Sequence, residues 1–190
     1  FIIMTARLKK VWSLLFFIFC MGQIMALANA FDRFTAHGGP VRDLALSPDG
    51  THFVSASFDY SAVLWTSKDI TEMTTLYGHE AALNTARFSP DGRWIVTAGD
   101  DGLILIWQTT KLSNGGGEPV ILRGHKGKVV HLAFSTDSQQ LASASWDGSI
   151  GIWSIDNQLS KTSVKGRFIR GHDGPVNGVQ FSDDGNYLYS

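Results

Sequence analysis

The chain has 190 residues, with 16 Lys and Arg against 17 Asp and Glu, and its formal net charge of −1 excludes an electrostatic footprint for nucleic acid and an acidic tail. Charged residues are only 17% of the chain while aromatics reach 12% and glycines number 20. That balance belongs to compact β structure with many tight turns, so the expected class is all-β.

Residues 1 to 30 differ from the rest. Arg7, Lys9 and Lys10 precede an apolar run from Val11 to Leu27 that closes on Ala28-Asn29-Ala30, the layout of a secretory signal peptide cleaved after Ala30. The alternative is an uncleaved membrane anchor, the one case in which a membrane enters. Against it, the run is short for about 30 Å of hydrocarbon and Gly22-Gln23 interrupts it. Phe1 is no natural start, so Met4 is the expected initiator. Cys20, the lone cysteine, falls inside this segment and leaves a mature chain without thiols. Such a chain suits an exported protein, and the absence of any Asn-X-Ser/Thr acceptor favours a bacterial periplasm as the compartment.

From residue 37 a pattern recurs: a His, an Asp 22 residues later and a Trp six residues after that. The sets are His37, Asp59, Trp65; His79, Asp101, Trp107; and His125, Asp147, Trp153. A fourth opens at His172 and ends with the sequence. Within each set the residues read as strand, turn, strand, turn, strand, with apolar alternation between turn signals. Pro48-Asp49-Gly50 and Pro90-Asp91-Gly92 supply a preset φ, a side-chain acceptor and a glycine for the left-handed position. Ser135-Thr136-Asp137-Ser138 is a degenerate version, expected to form a looser turn. The segments "TTLY", "PVILR" and "RFIR" just ahead of each His supply a fourth strand. Four-stranded sheets repeated at spacings of 42, 46 and 47 residues predict a β-propeller, as an incomplete arc of three blades plus part of a fourth. The variable length lies between Trp and the next His, in connectors around Ser113–Gly117 and Ser160–Ser163.

Over residues 31 to 190 the chain resembles the WD-repeat family. The match rests on the Gly-His pairs at 78-79, 124-125 and 171-172 and on the Asp-Gly turns ahead of Trp107 and Trp153. Departures are Ala36 for Gly before His37, Tyr60 for Gly after Asp59, and Thr66, Gln108 and Ser154 where the family's Trp-Asp would place Asp. The resemblance implies that residues 31–36 form a ring-closing outer strand and that residues 37–190 are the propeller, truncated in its fourth repeat. It also implies a structural tetrad with a hydroxyl 18 residues after each His: Ser55, Thr97, Ser143 and Ser190. The expected chain runs from indole N–H to hydroxyl, from hydroxyl to imidazole, and from the other imidazole nitrogen to carboxylate.

The same residue types make a Ser-His-Asp catalytic triad, but a nucleophile needs a cleft and an oxyanion hole, whereas these hydroxyls are expected buried and engaged by Trp. The His residues recur on successive blades instead of converging, so no metal site is expected. His52 and His131 are single and receive no role. No Walker loop, dinucleotide fingerprint or haem-attachment motif occurs, and no cofactor is expected.

What remains is surface. In the resembled family partners often dock at positions three and five after the His and just before the Asp. Here those are Pro40, Arg42 and Phe58; Ala82, Asn84 and Asp100; Lys128, Val130 and Trp146; and Pro175 and Asn177. Arg42, Phe58 and Trp146 are the foremost candidates, since Arg and aromatics anchor interfaces. The expected function is a non-catalytic scaffold for protein–protein interaction. Two alternatives stand beside it: the propeller module of an exported c-type cytochrome or other redox protein, and a quinoprotein-like propeller enzyme.

Overall fold

A computed structural model describes residues 36–112, 117–155, 164 and 166–190. The expected signal segment, the connectors at 113–116 and 156–163, and all but Ala36 of the expected closing strand lie outside the described residues.

The first sheet takes its strands in chain order: β1 (Val41–Leu46), β2 (His52–Ser57), β3 (Ala62–Thr66) and β4 (Thr71–Leu76). The second repeats this with β5 (Leu83–Phe88), β6 (Trp94–Gly99), β7 (Ile104–Gln108) and β8 (Val120–Leu122). β9 (Val129–Phe134), β10 (Gln140–Ser145), β11 (Ser149–Ser154) and β12 (Arg167–Arg170) form the third. Every pairing is antiparallel. In the fourth repeat β13 (Gln180–Phe181) pairs β14 (Leu188–Tyr189). Its inner strand, expected over Val176–Ser182, is paired only at Gln180–Phe181, because the strand opposite it stops with the sequence at Ser190. One helical turn that the sequence did not announce, α1 (Thr109–Leu112), follows β7. Among the described residues no helix is long and apolar enough to cross a membrane.

The cores lie between sheets, which is why the middle strands are apolar on both faces. Val54, Ala56 and Leu64 of the first sheet pack with Leu83, Ala86, Phe88 and Ile95 of the second. Trp94, Val96 and Ile106 turn the other way, onto Val129, Leu132 and Leu141 of the third. Ala142 and Ile150 then meet Val176, Val179 and Phe181. At the outside of the series, Leu44 and Leu46 of β1 are 61% and 63% exposed, while Ala86 and Phe88 at the same positions of β5 are 0% and 9% exposed.

Four turns join first to second strands, and in each the glycine or its substitute donates its N–H to a Ser carbonyl: Gly50 to Ser47, Gly92 to Ser89, Ser138 to Ser135 and Gly185 to Ser182, all at 2.9 Å. The expectation of a looser turn at 135–138 is therefore corrected. Ser138 takes φ +62°, close to the +71° of Gly50, and Ser135 Oγ donates to Asp137 Oδ1 at 2.6 Å as Ser47 does to Asp49. The Ser-to-Asp bond closes the turn with or without Pro and Gly, and Ser138 carries the left-handed strain.

Candidate functional site

The antiparallel order puts the His-bearing loops and the β2–β3, β6–β7 and β10–β11 turns at one end of the sheets. Each turn closes through its Asp. A carboxylate only accepts, so His37 Nδ1 carries the proton it donates to Asp59 Oδ2 at 2.9 Å, and Nε2 is left as acceptor for Ser55 Oγ at 2.7 Å. The indole N–H of Trp65 donates to the same hydroxyl at 2.9 Å. In the second sheet the distances are 2.8 Å for His79–Asp101, 2.9 Å for His79–Thr97 and 3.2 Å for Trp107–Thr97. In the third they are 3.0 Å for His125–Asp147, 2.8 Å for His125–Ser143 and 2.9 Å for Trp153–Ser143. His172 and Ser190 meet at 2.7 Å in the fourth repeat. Ser55, Thr97 and Ser143 are buried, each receiving an indole N–H, so none faces a cleft as a nucleophile would. Among the described residues no three His, Cys, Asp or Glu side chains gather around a metal position.

The carboxylates hold more than histidine. Asp59 also accepts the Gly38 N–H at 2.7 Å and both the N–H and the hydroxyl of Ser61, at 3.0 and 2.6 Å. Burial pushes its pKa up, but the bonds from Ser61, His37 and Gly38 outweigh burial and bring it down from 3.8 to about 2. Asp147 is lowered in the same way, burial opposing, by Ser149, Lys126 N–H and His125. Asp101 is lowered against burial by His79 and two main-chain N–H groups, with Leu103 where the other sheets have Ser. Burial lowers the pKa of His125, with Arg170 acting the same way, against the opposing pull of Asp147. Ser61 and Ser149 escaped the sequence reading. Their signal was a Ser two residues after Asp in the first and third copies.

The third sheet packs its tetrad differently. Gly151 stands where the other sheets have Val63 and Leu105, and opposite it Phe168 replaces Thr75 and Ile121. The Phe168 ring meets His125 at 5.1 Å and Trp153 at 5.5 Å, near-perpendicular to both, and lies against Gly124 as Leu105 lies against Gly78 in the second sheet.

One main-chain bond per sheet brings the candidate partner-binding positions together: Phe58 N–H to Pro40 O at 3.0 Å, Asp100 to Ala82 at 2.8 Å and Trp146 to Lys128 at 3.0 Å. A register shift in each inner strand leaves Arg42, Asn84 and Val130 as the extra, unpaired residue, the device by which a bulge re-aims a side chain. The Arg42 guanidinium lies over the Phe58 ring, 5.5 Å from its centroid. Asn84 Nδ2 donates to Asp100 Oδ1 at 2.8 Å and to the Val129 carbonyl at 3.1 Å. Lys128 bonds the other oxygen of Asp100 and lies 5.4 Å over Trp146, whose indole N–H donates to Asn177 Oδ1 at 3.0 Å. Asn84, Asp100, Lys128, Trp146 and Asn177 thus form one chain across three sheets. Phe58 and Trp146 remain 41% and 50% exposed. His52 lies away from this end and meets Thr51 Oγ1 at 2.7 Å, and His131 is half-buried on β9.

Comparison with known proteins fits this architecture. The family model described as WD domain, G-beta repeat, matches residues 29–66, 70–108, 117–154 and 163–190. The chain is 36% identical over 77 residues to apoptotic protease-activating factor 1 of Rattus norvegicus, covering 40% of this chain and 6% of that protein. To the probable cytosolic iron-sulfur protein assembly protein CIAO1 homolog of Caenorhabditis elegans it is 37% identical over 75 residues, 38% of this chain and 22% of the relative. It therefore spans less than a quarter of either relative. Among solved structures, that of U3-55K superposes with a TM-score of 0.67 at 24% identity, covering 76% of this chain and 43% of the other, a likeness of fold. Four repeat matches covering most of the sequence, on sheets closed by His, hydroxyl, Trp and Asp, make this chain a member of the WD40-repeat family.

Proposed function

We propose that this chain is a non-catalytic scaffold on which other proteins dock, working in the periplasm after export. WD40 propellers are typically protein-interaction scaffolds, and the observation that carries the reading here is the exposed Phe58 and Trp146, each held under a cation at one end of the sheets. Rigid aromatics fixed on strand-anchored turns bury apolar area at little entropic cost, as interface anchors do. A photo-crosslinking residue at Phe58 or Trp146 is expected to trap a partner, and one at Gln139, in the opposite turns, is not. Equal trapping from all three, or none from the first two, overturns the docking reading. A haem-staining adduct identifies a c-type cytochrome as the partner. The export half rests on the basic start and the Ala28-Asn29-Ala30 ending of the leading segment. N-terminal sequencing of periplasmic material is expected to read Phe31-Asp32-Arg33, and a mature protein that keeps Trp12 refutes it.

A further inference from the structure

The charges at the docking end are mostly spoken for. Asp100 gives one oxygen to Asn84 and the other to Lys128, and the tetrad aspartates are occupied by His and main-chain N–H groups. Lys126 follows His125 and is exposed. Glu80 and Asp173 are exposed on the loops of the second sheet and the fourth repeat. Arg42 is different in kind. It is the bulge residue of β1, its guanidinium lies over the Phe58 ring, and among the described residues no carboxylate pairs with it. A guanidinium over a ring face keeps its charge, and with no carboxylate of the described residues engaging it, its planar fork can take an incoming carboxylate with two parallel bonds. The Phe58 ring beneath it is 41% exposed.

We infer, resting on the docking reading, that the Arg42–Phe58 pair receives an acidic residue of an extended segment of the partner, its carboxylate on the guanidinium and an adjoining apolar side chain on the ring.

A phage-displayed random peptide library selected on the full-length protein tests this. Enriched peptides are expected to share an Asp or Glu, and a synthetic winner should bind about tenfold or more weakly to Arg42→Gln. Replacing the peptide's acid by its amide should cost a similar factor, without the two losses multiplying, because both remove one contact. Arg42→Lys, which keeps the charge and loses the fork, should fall in between. Matched urea midpoints show that the variants are folded. Winners that lack an acid, or that ignore Arg42→Gln while losing affinity to Phe58→Ala or Trp146→Ala, overturn the acidic chemistry and leave the docking face standing. A phosphoserine substituted for the acid and binding far tighter reassigns the pair to phosphopeptides. No winners, or winners indifferent to all three positions, overturn the docking reading itself.

Discussion

The exchange of Gly151 and Phe168 in the third sheet is a packing solution that can be undone in two steps. A Cβ on Gly151 would lie 2.6 Å from Ser143 Oγ, 2.8 Å from Trp153 Nε1 and 2.9 Å from His125 Nε2, so Gly151→Val alone drives into the tetrad while Phe168 still covers it. Overpacking of this kind costs about 1–3 kcal/mol. Phe168→Thr alone empties the space above the tetrad. A buried Phe truncation costs about 3–5 kcal/mol, and a half-buried ring about 2–3 kcal/mol. Independent costs would sum to about 3–6 kcal/mol. The double variant recreates the Val63–Thr75 pair of the first sheet and is expected to lose less than about 2 kcal/mol, a coupling well outside the ~0.5 kcal/mol scatter of additive sites. Urea unfolding of the four proteins gives the coupling directly. Costs that simply add would show that Phe168 does not occupy the place of the side chain missing at 151, and the account of the third tetrad would fall.

Tyr60 holds φ +73°, matching Gly102 at +73° and Gly148 at +79°, so Tyr60→Gly is expected to raise stability by about 0.5–1 kcal/mol, and a lowered urea midpoint would contradict the strain argument. Asp101→Ala leaves His79 and two main-chain N–H groups without their acceptor and should cost about 1–3 kcal/mol. Loss of a hydrolytic activity at unchanged stability would instead reveal a working triad. The pKa of Asp59 is depressed from 3.8 to about 2, so its stabilisation is complete above about pH 4 and disappears as the pH falls through about 2, with Asp101 and Asp147 of the same sign. His125 is depressed below 6.5, so its contribution too is present above that pH and is lost on acidification. Urea midpoints followed downward from neutral pH should fall throughout, Asp59→Asn should flatten the most acidic part, and a rise between about pH 4 and 2 would reverse the sign.

The tetrads were legible because a closed donor–acceptor chain tolerates few residue types and antiparallel register fixes their spacing: His at 37, hydroxyl at 55, Asp at 59, Trp at 65. "RFIR" marked β12 at its true bounds by its place just ahead of the next Gly-His pair. The turn at 135–138 misled because Pro and Gly are the visible signals, while the Ser-to-Asp bond that closes it is spelled with common residues. The Gly151–Phe168 exchange was hidden because its members lie 17 positions apart, and a glycine inside a strand does not say which side chain packs beside it. At the docking end the residue positions could be named, but their linkage could not, since the bulges that re-aim Arg42 and Asn84 leave no mark in the composition.

Side chains also reach from one sheet to the next, and they do so unequally. Asp43 of β1 accepts the Ala86 N–H at 3.1 Å and pairs with Arg87, whereas the residue matching Asp43 in β5 is Thr85 and in β9 His131. At the opposite end the Asp91 N–H donates to Ser138 Oγ at 3.1 Å, a bond that needs the serine standing where other turns have glycine. The repeats are therefore not interchangeable parts. Each carries an address for its neighbour, written in polar pairs that a transplanted copy would leave half-made, and a half-made pair at a sheet junction costs more than no pair at all. Lineages that duplicate one of these repeats inherit mismatched junctions on both sides, so the copies should drift in complementary pairs, residue 43 of one with residue 87 of the next, faster than the tetrads they share.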